Sequence, residues 1–253
     1  MFLPLRDENP TERVPFVNYG LMTLNIVLFL YTWPMMSGTG WWVTPAYGLV
    51  PTRIIADPVG EAFTVFTSMF MHGGWVHLGS NMLALHIFGD NLEDMMGHRR
   101  YLFFYLCCGI AAAMAQVFID TASPIPMIGA SGAIGGVIGG YLLLFPRAPI
   151  VFLNLSPLMF LIGLLPVVPA WGVAGYFFIV NLLEAFGYLG EPGVGGVAVF
   201  AHLGGFVAGL VTTRAFVIGK TVGRRQWKGF QTKHAAPAPT GARWRRRPRR
   251  PQD

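Results

Sequence analysis

Three short stretches of this chain bring together residue types that can do nucleophilic chemistry. The first is Gly129-Ala130-Ser131-Gly132. A serine between small residues, where a loop passes into a helix, has an accessible hydroxyl. The helix N-terminus and its free backbone N–H groups can face a developing oxyanion. The second is Ala201-His202-Leu203-Gly204-Gly205, continuing to Gly209. An imidazole is the side chain best suited to take a hydroxyl proton near neutral pH. The third runs from His72 to Asn81 as His-Gly-Gly-Trp-Val-His-Leu-Gly-Ser-Asn. His77 and Asn81 are four residues apart, on one face of a helix, and both can donate hydrogen bonds to an oxyanion.

Each stretch also has a plainer reading. Glycine and serine are common in membrane helices because they let backbones approach. A lone histidine can be a neutral residue bonded to a neighbouring helix, and His77 and Asn81 can serve interhelical hydrogen bonding. The spacing of the glycines favours a closer connection. Gly132, Gly136 and Gly140 form one smooth helix face, and Gly205 and Gly209 form another. Two such faces permit the close approach that would bring His202 within reach of Ser131.

The elements that must position these residues are membrane helices. Hydrophobic residues make up 53% of the 253 residues, charged ones only 12%, and mean hydropathy is +0.51. That charged fraction is about half the usual value for a soluble domain. Spans of about 20 apolar residues are expected at 16–36, 75–95, 101–119, 131–145, 166–186 and 197–218. The fourth is short, and it follows the helix-breaking run from Ser123 to Pro126. The apolar stretch 150–168 is broken by Pro157 and Pro166 and reads as a surface or re-entrant segment. Trp41, Trp42 and Tyr47 suit a membrane interface. Cys107 and Cys108 are adjacent in an apolar run, which suits neither a structural disulfide nor a zinc site.

Charge gives an orientation. With six crossings, seventeen of the eighteen Lys and Arg residues fall on one side, and Arg53 alone on the other. The positive-inside rule then places both termini in the cytoplasm. The expected organisation is a cytoplasmic segment at 1–15, an all-α six-helix membrane domain at 16–218 and a basic, disordered cytoplasmic tail at 219–253. The tail's arginines suit retention on the inner side and attraction to anionic lipid. No nucleic-acid module accompanies them. In this topology the second, fourth and sixth helices all run inward, so His77, Asn81, Ser131 and His202 share one depth toward the outer leaflet.

Taken together, these residues resemble the rhomboid family of intramembrane serine proteases over roughly 62–210. The motifs are a histidine followed four residues later by asparagine, then Gly-x-Ser-Gly, then Ala-His-x-x-Gly-x-x-x-Gly. The resemblance implies Ser131 as nucleophile and His202 as general base. It also implies His77, Asn81 and the Ser131 backbone N–H as oxyanion stabilisers, no cofactor or metal, and transmembrane helices in the bilayer as substrates. Glu93, Gly97 and Arg99 match the inner end of the family's second helix and are expected to be structural. There are two departures. Some members carry an aromatic four residues after the nucleophile, where this chain has Gly135, and a Trp-Arg pair of the first outer loop is not evident. Two rivals stay open: a transporter with polar residues along a pathway, and an inactive relative that binds membrane helices.

Overall fold

The computed structural model describes residues 2–38, 42–190 and 198–217. In chain order these form β1 (Phe2–Asp7), α1 (Phe16–Ser37), the short helices α2 (Val43–Tyr47), α3 (Pro51–Ala56) and α4 (Thr64–Thr67), then α5 (Trp75–Met96) and α6 (His98–Ile119). They continue with α7 (Ser131–Leu144), β2 (Pro149–Asn154), α8 (Met159–Ile162), β3 (Val167–Pro169), α9 (Ala170–Gly190) and α10 (Val199–Phe216). The basic tail, Trp41 and most of the glycine-rich run 187–196 lie outside the described residues.

Among the described residues, four helices are long and apolar enough to cross a membrane: α1, α6, α9 over its first 18 residues, and α10. Helix α5 has the length but carries Asp90, Glu93 and Asp94 near its end. Helix α7 has 14 residues, a rise of about 21 Å against a hydrocarbon core of about 30 Å. The chain is therefore a multi-pass membrane protein, mostly helical. Large apolar side chains point outward from α1 and α9, including Tyr31, Tyr176, Leu183 and Phe186. In water such a surface would be unfavourable, whereas in lipid it is the ordinary outside of a bundle.

The core lies between α5, α6, α7 and α10, around Leu85, Leu92, Phe104, Cys108 and Val137. Helices α7 and α10 approach so closely that their glycines face backbone. A Cβ on Gly205 would collide with the Gly132 carbonyl, and one on Gly209 with that of Gly136. The inner end of α5 holds α1 through a buried carboxylate. Glu93 accepts the N–H groups of Val17 at 2.9 Å and Asn18 at 2.7 Å, two donors of the first helical turn that have no acceptor inside the helix. His98 closes on the same carboxylate. Asn18 then receives the Tyr101 hydroxyl at 2.8 Å and donates to the Leu85 carbonyl at 2.9 Å.

One expectation needs correction. The fold is not purely α-helical, because β1, β2 and β3 form a three-stranded antiparallel sheet in that order. The segment 150–168, expected as a surface or re-entrant stretch, is a β-hairpin with α8 at its tip. The stretch 1–15 is likewise part of the fold: Phe2 pairs with Asn154, and Asp7 with Ile150. Of the two prolines that break a helix here, Pro157 lies in the turn between β2 and α8 and Pro166 just before β3; Pro4 lies on the edge strand β1, where a missing N–H costs little. The hairpin tip is apolar and outward-facing, with Phe160 90% and Leu161 80% exposed. It lies at the end of α7 away from Ser131.

Candidate active site

Ser131 is the first residue of α7, His77 the third of α5 and His202 the fourth of α10. The loop into α7 is fixed by backbone pairing. Leu49 and Met127 exchange N–H···O bonds at 3.0 and 2.7 Å, and Gly129 N–H donates to the Ser68 carbonyl at 2.8 Å. Gly129 has φ +124°, and a Cβ there would lie 2.7 Å from His77 Nε2. Only glycine meets both demands. The start of α10 is held by Gln116, whose Oε1 accepts from Ala201 N–H at 3.3 Å.

These anchors place Ser131 Oγ 2.7 Å from His202 Nε2. All four residues singled out in the sequence, Ser131, His202, His77 and Asn81, line one cavity of about 440 Å³. The Asn81 side chain is buried, and its Nδ2 has no acceptor among the described residues. A buried amide donor without an acceptor is costly, which makes it a ready partner for an incoming oxygen. His77 Nδ1 accepts from Gly73 N–H at a long 3.4 Å. His72 is fully buried in the loop before α5, with its ring 5.1 Å from that of His77. Burial, reinforced by the neighbouring His77, pushes the His72 imidazole down to about 4, so it is neutral at physiological pH.

The site explains the departure at Gly135. A Cβ on Gly135 would stand 2.7 Å from the His202 carbonyl oxygen, so α10 leaves no room for a side chain there. An aromatic reaches the imidazole from another helix instead. Phe177 of α9 tilts against His202 with ring centroids 5.9 Å apart. One turn further along α9, Asn181 Oδ1 lies 2.6 Å from His202 Nδ1. Neither Phe177 nor Asn181 was singled out in the sequence. The available signal was a lone asparagine inside an apolar span, which is costly unless it has a polar partner. Asp120 lies in the α6–α7 loop, and Glu191 lies outside the described residues.

The structure is thus a multi-pass helical fold in which a serine and a histidine meet in one cavity. The chain belongs to the rhomboid family: residues 59–218 match the Rhomboid domain. It is 30% identical over 210 residues to "Rhomboid protease GluP" of Bacillus subtilis, covering 81% of this chain and 39% of that protein. It is 32% identical to "Rhomboid protein 1, mitochondrial" of Saccharomyces cerevisiae, over 53% of this chain and 38% of that one. "RHOMBOID-like protein 5" of Arabidopsis thaliana is 27% identical over 56% of this chain and 51% of its own length. The chain thus spans between about two fifths and one half of these relatives.

Proposed function

We propose that this chain is an intramembrane serine endopeptidase that cleaves transmembrane segments of other membrane proteins near the outer face of the bilayer. The observation that carries the reading is the 2.7 Å approach of Ser131 Oγ to His202 Nε2, in a cavity that also holds the unpaired Asn81 amide donor. Membership of the rhomboid family, and similarity to a Bacillus subtilis relative that is named a rhomboid protease, support it.

The chemistry runs as acyl transfer. His202 Nε2 takes the Ser131 proton while Oγ bonds to a substrate peptide carbonyl carbon. The oxyanion so formed accepts hydrogen bonds from Asn81 Nδ2, His77 and the N–H groups at the start of α7. His202 then gives its proton to the leaving amine as the C–N bond breaks. A water, deprotonated by the same imidazole, attacks the acyl ester and releases Ser131. A substrate helix has its carbonyls bonded internally, so it must unwind locally before attack. Access is from the side of α9, whose outward face is apolar and whose Phe177 lines the cavity.

In this reading the chain crosses the plasma membrane six times, with α5 and α7 as the two crossings whose composition or length is atypical. Both termini are cytoplasmic, and the Ser131 end of α7 faces outward. The test is cleavage of a model transmembrane substrate in liposomes. Wild type should cut, and Ser131→Ala and His202→Ala should each lose at least roughly 10³-fold in rate. Cleavage that survives Ser131→Ala overturns the mechanism, and so does a wild-type protein that cleaves nothing.

A further inference from the structure

We infer that Asn181 is the positioning residue of the active site, holding His202 in the one tautomer that can accept the Ser131 proton. The inference rests on the Ser131–His202 reading above and names its third member.

It follows from which atoms can donate. Among the described residues, the Asn181 side chain makes two hydrogen bonds, at 2.8 Å with the Phe177 carbonyl and at 2.6 Å with His202 Nδ1. A carbonyl oxygen only accepts, so the Asn181 atom facing Phe177 is the NH2 group. The other amide atom, the oxygen, therefore faces His202, and an amide oxygen only accepts. Nδ1 must then carry the imidazole hydrogen. A neutral imidazole has a single N–H, which leaves Nε2 with its bare lone pair. The Ser131 hydroxyl, 2.7 Å away, donates to it. The chain of bonds thus runs one way, from Ser131 through His202 and Asn181 to the backbone of α9.

The same helix supplies the second restraint. Phe177 and Asn181 lie one turn apart on a common face of α9, so one packs at a tilt against the ring and the other holds its Nδ1 edge. Position 135, where an aromatic would otherwise stand, is closed by the α10 backbone. Orientation of the imidazole has therefore passed from α7 to α9.

An amide suits this place better than a carboxylate would. It accepts the Nδ1–H bond without bringing a second charge into the membrane. When Nε2 takes the Ser131 proton, the new imidazolium keeps its Nδ1–H bond to the Asn181 dipole. No proton moves to Asn181, which has no site for one.

The experiment compares wild type with Asn181→Leu, which keeps the shape and removes the acceptor, and Asn181→Asp, which keeps an acceptor oxygen. Four quantities are read: the rate at which a fluorophosphonate labels Ser131, kcat and KM on a transmembrane substrate, and the Tm. Asn181→Leu should lose roughly 100-fold in labelling and kcat, the lower end of what a positioned general base contributes, with KM and Tm nearly unchanged. Asn181→Asp should recover most of the labelling rate. Wild-type rates in Asn181→Leu overturn the inference, as does a rate loss that tracks a fall in Tm and is not recovered by Asn181→Asp. A further reading needs no variant of Asn181. In wild type labelled with 15N-histidine, the His202 signal, identified by its absence in His202→Ala, should report hydrogen on Nδ1. Hydrogen on Nε2 overturns the inference. Failure of the Ser–His reading itself would look different: labelling that persists in Ser131→Ala.

Discussion

Asn81 is the residue whose energetics and chemistry pull in opposite directions. Its Nδ2 is buried and lacks an acceptor among the described residues, a cost of about 1–3 kcal/mol. Asn81→Ala removes that cost together with the donor. The expected result is a fall in kcat of roughly 10²-fold with a Tm equal to or above wild type, measured in the same detergent preparation. A loss of both would mark Asn81 as a packing residue. At this scale the sequence was legible where a polar residue interrupts an apolar helix near its start. His202 stood out for that reason, Ser131 for its small neighbours where a loop passes into a helix, and His77 and Asn81 for their four-residue spacing. Asn181 has the same character but lies in mid-helix, and nothing in the order of residues says which neighbour it meets. Its partner is 21 residues away, and only the packing of α9 on α10 brings them together.

At the scale of elements, the pair α7 and α10 sets the distance between nucleophile and base. Their contact is backbone on backbone, with Gly205 over Gly132 and Gly209 over Gly136. Substituting Gly205→Val must push the helices apart. It should destabilise by about 1–3 kcal/mol, seen as a lower Tm, and should lose cleavage because Ser131 and His202 separate. Gly175→Ala on α9, where a Cβ meets nothing within 4 Å, is the matched control and should keep both. The glycine spacing already pointed to two smooth faces in the sequence. Spacing alone does not show which helices pair, and it gave no sign that the approach of α10 would exclude an aromatic at Gly135.

The whole molecule is tied together at the end away from Ser131. Asp7 of β1 accepts hydrogen bonds from the Tyr141 hydroxyl at 2.5 Å and from Asn91 Nδ2 at 2.8 Å, linking the sheet to α7 and α5. Burial pushes the Asp7 carboxyl up from 3.8 to about 7; the Tyr141 bond opposes this and the nearby Asp90 charge adds to it. A carboxyl raised in the fold binds its proton more tightly there than in the unfolded chain. Its contribution is therefore fully present below about 4 and is lost as pH rises through about 7. Tm should fall as pH is raised across that window, and Asp7→Asn should remove this part of the dependence. A wild type whose pH profile matches Asp7→Asn would refute it. The sheet was the least legible part of the fold. Its strands are short and rich in proline, and strand pairing is decided by distant sequence, whereas the helices are announced by local composition.

The pairing of β1 with β2 also has a consequence in time. About 140 residues separate Asp7 from its partner Ile150. At ordinary rates of synthesis, the first strand emerges on the order of ten seconds before the second exists. Helices α1, α5, α6 and α7 are all made in that interval. Closure of the sheet is thus a late event in the life of the nascent chain, a clasp fastened only after the serine-bearing helix has been made.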